Sequence, residues 1–367
     1  MTEKALKLLS QVIDPELRLP ITELGMIGAV VEQGEKVTAE IKLTIVGCPA
    51  AQRIERDAIA ALQKGFSEVE VSMSTMSSDE RDELKRKLRG DKPVRHNPFA
   101  DPANLTRVIF IGSGKGGVGK STLTANLAVA LSQLGNRVGL IDADIFGYSI
   151  PGLLGISTGP TKVDELMLPP IAYEVSVISI GMFVEDNKPV AWRGPMLHRA
   201  IEQFLTDVYW GDLDYLLVDL PPGTGDVAIS LGQLLPNARS IVVTTPQATA
   251  ATVAERSGAI GLQTGQKVLG VIENLSFLDT PTGKNYIFGE GGGNAVARRL
   301  SELSGQEVKL LGQLPISETL RAEADCGRPV VHSIPDDPAS KVIVEIAKSI
   351  ASTPRGLVGK SLPFSVS

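Results

Sequence analysis

The residues best equipped for chemistry lie in one run, Gly114-Lys115-Gly116-Gly117-Val118-Gly119-Lys120-Ser121-Thr122. From Gly114 to Ser121 it fits G-x-x-x-x-G-K-[ST], a loop that cradles phosphates. Its glycines let successive N–H groups turn inward, and a helix starting at the loop's end adds positive potential. Lys120 is placed to reach the β- and γ-phosphates of a nucleotide. Ser121 is placed to ligate Mg²⁺ through its hydroxyl, and Thr122 to meet the α-phosphate. Gly112, Gly114 and Gly117 also satisfy G-x-G-x-x-G. That dinucleotide pattern is set aside. It leaves Lys120-Ser121 unexplained, and it lacks an acidic residue about 20 positions on.

Carboxylates at the ends of apolar runs complete the candidate site. Asp219 follows Tyr215-Leu216-Leu217-Val218, the usual setting for the acid that holds Mg²⁺ through water. Buried without a metal or a hydrogen-bond donor, it would be costly. Asp142 and Asp144 stand two apart in extended chain and so point the same way. One can touch the metal shell while the other positions the attacking water. Pro221-Pro222-Gly223-Thr224-Gly225 reads as a switch segment, whose glycines can swing N–H groups toward a γ-phosphate. Lys115 is surplus to an ordinary phosphate loop. It is too close in sequence to curl onto its own γ-phosphate, so it is read as reaching a nucleotide on a second subunit. Cys48, in Gly47-Cys48-Pro49, sits beside an expected helix N-terminus, where a thiol's pKa can fall.

These residues need a particular scaffold. Arg107–Ile111 is short, apolar and β-branched, a buried strand, and Leu123–Leu134 has apolar residues at helical spacing. From Thr106 onward strands and helices alternate, with strands expected at 137–141, 175–180, 215–219, 240–245 and 268–272. That order implies an α/β fold with a mostly parallel sheet covered on both faces. Ligands bind at the carboxyl ends of such strands, where Asp142, Asp144, Asp219 and Asn274 all fall. The amino-terminal part reads as a small α+β domain. It has a helix over 3–13, strands over 27–32 and 36–45, a helix over 50–64 and a strand around Val69 and Val71. Residues 79–92 form a charge-dense helix, acidic first and basic last, as its dipole prefers. The resulting division is 1–90 for the small domain, 91–104 for a Pro-containing linker, 105–353 for the nucleotide domain and 354–367 for a tail.

Bulk properties narrow the classes. The chain has 367 residues, enough for two domains, with 43% hydrophobic and 21% charged residues. A net charge of −6 argues against a nucleic-acid surface. Two distant cysteines, Cys48 and Cys326, imply no disulfide framework and point to a reducing cytoplasm. No apolar run approaches membrane-spanning length. The segment after residues 341–350 is weakly basic and contains Pro354, unlike the amphipathic helix of a membrane-bound positioning ATPase.

Taken together, Lys115-Gly116-Gly117-Val118-Gly119-Lys120-Ser121 resembles the deviant phosphate-loop ATPases, the SIMIBI-type group that holds MinD, ParA and the Mrp/ApbC cluster carriers. Asp142 through Pro151, Val218 through Asp226, Glu273-Asn274-Leu275-Ser276 and Phe288 through Gly293 are similar to Mrp segments. Asp14-Pro15-Glu16, Glu23-Leu24-Gly25 and Gly47-Cys48-Pro49 resemble the small Fe–S assembly domain often fused in front of them. The resemblance implies an ATP- and Mg²⁺-dependent ATPase acting as a homodimer, which carries iron–sulfur clusters to assembly or client proteins. It gives Asn274 the adenine and Asp144 the hydrolytic water, which leaves Asp142, of the aspartate pair, to join Ser121 and Asp219 at the Mg²⁺ site read from the residues. One departure stands out. Thr280 and Gly283 occupy the positions where the family carries C-x-x-C, and neither supplies a soft thiolate. Cys48 is then the best remaining cluster ligand. The alternatives are a nucleotide-switched adaptor without a cluster, and a positioning ATPase.

Overall fold

The computed structural model describes residues 3–89, 96–101, 103–145, 147–184, 194–223 and 225–352. The chain forms two compact units. The smaller comprises Met1–His96, Gly159–Ile171 and Asp207–Gly211, and the larger comprises the remainder.

Alternation builds the smaller unit. In the strand Lys36–Leu43 every second side chain is buried, so Val37, Ala39, Ile41 and Leu43 face one core. This strand is central. It pairs antiparallel with Ile27–Gln33 and parallel with Glu68–Thr75. The helix Ala51–Leu62 lays Ile54, Ala58 and Leu62 into the same core. The first helix stops at Leu9, short of the expected 3–13. There the chain turns instead, and the Asp14 carboxylate accepts hydrogen bonds from the Glu16 and Leu17 amides, both at 2.8 Å. The charged helix spans Ser78–Arg89, and its Leu84 is buried. Sequence reading missed a hairpin, Thr161–Val163 with Leu166–Leu168, which lies inside the expected nucleotide domain. Its Val163, Leu166 and Leu168 belong to the small unit's core.

The larger unit is built on buried parallel strands. Val138–Asp142, Val175–Ser179 and Tyr215–Asp219 are buried at every position, as a strand covered on both faces must be. Seven strands pair in parallel, in the order Lys309–Gln313, Lys267–Glu273, Arg239–Thr244, Arg107–Ser113, Tyr215–Asp219, Val138–Asp142, Val175–Ser179. The helix Lys120–Gln133 runs from the loop at the end of the central strand. Its Leu127, Ala128 and Leu131 pack with Ile109, Leu140, Leu217 and Ile343. Strand Lys309–Gln313 escaped the sequence reading because Gly312 breaks its apolar run.

Residues 97–101, from the expected linker, fold within the larger unit. Asn97 caps the turn Pro98–Ala100, donates to the Leu234 carbonyl at 3.0 Å, and Phe99 is buried. The rest of that linker (91–95 and Pro102), the tail 354–367, Phe146, Thr224 and the side chain of Asp226 lie outside the described residues. Among the described residues no helix is long and apolar enough to cross a membrane.

Candidate nucleotide site and the Cys48 pocket

The loop between Ser113 and Lys120 owes its shape to its glycines. Gly117 and Gly119 take φ of 78° and 80°, a region costly to any residue with a Cβ. Gly114 packs so closely on the helix Ala248–Gln263 that a Cβ would fall 2.3 Å from the Val253 carbonyl carbon. Gly119 caps the helix, which begins at Lys120, so the loop's N–H groups and the helix start face one side.

Three of the expected residues meet at one carboxylate. Asp219 Oδ2 accepts from Lys120 Nζ and from Ser121 Oγ, both at 2.6 Å. Its Oδ1 accepts from Thr124 Oγ1 at 2.7 Å. Asp219 is fully buried and Lys120 nearly so. The expectation that a buried aspartate here needs donors is met by all three. Thr124 was missed, although it stands one helical turn after Lys120 and so had to share its face. Paired hydroxyl and carboxylate oxygens are hard donors that suit Mg²⁺. Ser121 would hold the ion directly, with Asp219 behind it, and the ion would neutralise phosphate charge. Thr122 is half-buried on the first turn of the helix, where its carbonyl accepts from Asn126.

Asp142 is engaged differently. It is level with Asp219 on the neighbouring strand and fully buried. Its carboxylate accepts from Ser179 Oγ at 3.0 Å and from the amides of Ile150 and Asp144, each at 3.2 Å. Burial first, then the nearby Asp219 charge, pushes its pKa up to about 7. Its bonds hold the chain leaving the strand. Asp144 is buried too and accepts from the Gly147 amide at 3.1 Å. The two carboxylates therefore bind backbone amides of the same loop, Asp142 at Asp144 and Ile150, and Asp144 at Gly147.

The segment after Asp219 is tied to the phosphate loop. The Gly223 amide donates to the Ser113 carbonyl at 2.8 Å, and Ser113 Oγ donates to the Lys115 carbonyl at 3.1 Å. Lys115 Nζ donates to Gln247 Oε1 at 3.0 Å, at the start of the helix Ala248–Gln263. Gln247 is 132 residues away, so no local signal reveals it. Asn274 donates through Nδ2 to the Val118 carbonyl at 2.8 Å. Beside it, buried Glu273 accepts from the Gly293 amide at 2.6 Å and from Gln313 at 2.8 Å, fixing the start of the helix Gly292–Ser304.

The stretch where cysteines were expected is a small hairpin, Leu278–Thr280 with Gly283–Asn285. Thr280 Oγ1 donates to the Gly283 carbonyl at 2.6 Å, so the hydroxyl closes the turn. Cys326 is exposed.

Cys48 corrects an expectation. It does precede a helix, which starts at Ala51, yet the thiol is buried in the small unit's core. Its Sγ lies 3.8 Å from Glu16 Oε2, and Glu16 Oε1 accepts from Thr161 Oγ1 at 2.6 Å. Burial pushes the thiol pKa up to about 11, and the charges of Glu16 and Asp14 push the same way. The helix start is outweighed, and the thiolate is disfavoured rather than favoured. Among the described residues no three His, Cys, Asp or Glu side chains converge as a metal site.

Residues 104–351 match the NUBPL iron-transfer P-loop NTPase family, and residues 2–73 match the iron–sulfur cluster assembly protein family. The chain belongs to the iron-transfer P-loop NTPases. A Mycobacterium leprae protein called iron–sulfur cluster carrier protein is 53% identical over 96% of this chain and 94% of its own length. A Bacillus subtilis protein of the same name is 38% identical over 94% of this chain and 96% of its own. The larger unit's fold is similar to a nucleotide-binding protein from Archaeoglobus fulgidus in complex with ADP. That likeness has a TM-score of 0.53 and 36% identity, covering 63% of this chain and 89% of the other. The cell division ATPase MinD of Pyrococcus furiosus is also similar, with a TM-score of 0.50 and 25% identity over 67% of this chain and 98% of the other. The iron-transfer NTPase is an ATPase, and in it Lys120 and Ser121 of the loop motif share the buried carboxylate of Asp219.

Proposed function

We propose that this ATPase is an iron–sulfur cluster carrier that works as a cytoplasmic homodimer and hands clusters to client proteins. The observation that carries the reading is the union of an iron-transfer NTPase with a cluster-assembly module in one chain. The knot of Lys120, Ser121 and Asp219 supports the nucleotide half. Mg·ATP supplies Lys120 with phosphate oxygens and Ser121 with the metal. The segment after Asp219, tied through Gly223 to Ser113, then carries the change outward. Asp144 orients the attacking water, Asn274 meets the adenine, and Lys115 crosses to the partner's nucleotide.

The cluster is cargo, and the hairpin at Thr280 and Gly283 lacks thiolates to hold it. Cys48 is the ligand this reading retains. Its raised pKa and the need for external ligands make binding weak, which suits a cargo to be released. A second reading, a nucleotide-switched adaptor without a cluster, draws on the same closed hairpin. Transfer separates the two. Protein reconstituted anaerobically is mixed with an apo-ferredoxin, with and without Mg·ATP, and holo-ferredoxin is followed by its absorbance. ATP-sensitive transfer supports the carrier, and no transfer under either condition overturns it.

A further inference from the structure

Asn274 is bound at one end and open at the other. Its backbone amide donates to the Thr244 carbonyl at 2.9 Å, which seats it between two strand ends. The side-chain Nδ2 donates to the Val118 carbonyl, while Oδ1 is buried with no hydrogen-bond partner among the described residues. The contact is steric as well as polar. A Cβ on Gly119 would fall 2.3 Å from that same Nδ2.

The Val118 carbonyl shares a peptide plane with the Gly119 amide. In a trans peptide the C=O and the next N–H point in opposite directions. Fixing the carbonyl therefore fixes where the amide points. We propose that Asn274 is a positioning residue of the phosphate loop. By holding the Val118 carbonyl it sets the Val118–Gly119 plane and turns the Gly119 N–H to the loop's opposite, concave side. Gly119 can comply, since without a Cβ it takes its φ of 80° at no steric cost. This task is separate from base recognition. The base would call on the unpaired Oδ1, whereas the brace uses Nδ2 and acts on a bound phosphate chain whether or not a base is attached.

The test uses full-length protein and two ligands, Mg·ATP and magnesium tripolyphosphate, the latter having no base. Their affinities are measured by calorimetry for wild type, Asn274→Ala and the uncharged, similarly sized Asn274→Leu. Loss of the brace weakens tripolyphosphate by about tenfold, the worth of one hydrogen bond, and ATP by at least as much. Weaker ATP with unchanged tripolyphosphate overturns the proposal and leaves Asn274 a base contact. Unchanged affinity for both also overturns it. Should Asn274→Ala fold poorly, Asn274→Leu keeps much of the bulk and removes the donor without adding a charge beside the phosphates, so the comparison survives. Hydrogen exchange of peptides covering 113–122 gives a ligand-free readout. Exchange is expected to rise severalfold in Asn274→Leu, and an unchanged rate counts against the brace.

Discussion

Lys120 Nζ lies 2.6 Å from Asp219 Oδ2, with the lysine 6% and the aspartate 0% exposed. Such a pair is weak evidence for stability, because both ions were taken out of water. Removing one partner alone is nevertheless costly, since it strands the other charge. Lys120 is therefore the counter-ion to Asp219 as well as the proposed phosphate ligand.

Lys120→Ala is expected to abolish ATP binding or turnover. It should also destabilise the nucleotide-free protein by about 3 kcal/mol, the order seen when a buried pair loses one member. Urea unfolding of wild type and variant checks the second effect, and ATP titration the first. Unchanged affinity and hydrolysis in the variant would falsify the assignment of this loop.

Lys115 tests action across a dimer. Its bond to Gln247 is a single hydrogen bond, worth about 1 kcal/mol net, so it does not tether the side chain. Lys115→Ala should bind ATP but hydrolyse it at least tenfold more slowly, a modest share of what such a cation contributes. Mixed with an inactive Asp144→Asn variant, it should regain part of the activity, because each mixed dimer holds one complete site. Verified mixed dimers that stay inactive, from well-folded variants, count against the cross-subunit role.

The thiol of Cys48 gives a pH dependence. Its pKa is raised to about 11, so the thiolate is scarce at pH 8 and grows tenfold per unit until the pH nears that value. In a Cys326→Ser background, which removes the exposed thiol, iodoacetamide should label Cys48 roughly a hundredfold more slowly at pH 8 than an ordinary free cysteine. Mass spectrometry of the labelled peptide measures it. Labelling at the ordinary rate near neutral pH contradicts the burial described here.

The hairpin inserted from 161–168 completes the small unit's core, so Leu166→Ala should act there. A buried leucine cut to alanine costs about 2–4 kcal/mol. Limited proteolysis of the small unit should speed up while ATP affinity stays within twofold, on the order of 0.4 kcal/mol. Unaltered proteolysis rules out this part of the core.

What the sequence disclosed follows the range of each cause. The phosphate loop was legible because its glycines, lysine and serine act within ten residues of one another. Asp219 was legible as an acid ending a buried strand, and its need for donors was foreseen. Gln247 was not, since only tertiary folding brings it to Lys115. Cys48 was misjudged for the same reason. Its helix start is local, whereas the burial and the Glu16 and Asp14 charges that outweigh it arise from the folded core. Asp142 and Asp144 are legible as acids at a strand end, but the amides that their carboxylates bind, at Asp144, Gly147 and Ile150, belong to the loop that follows and carry no local signal.

The carrier reading is tested most directly by anaerobic reconstitution of wild type and Cys48→Ala, with iron and sulfide counted per chain and absorbance recorded. The account predicts a labile cluster in wild type, removed readily by a chelator, and none in Cys48→Ala. A stable, stoichiometric cluster that survives the substitution contradicts the role of Cys48, and the absence of any cluster in either protein contradicts the carrier itself.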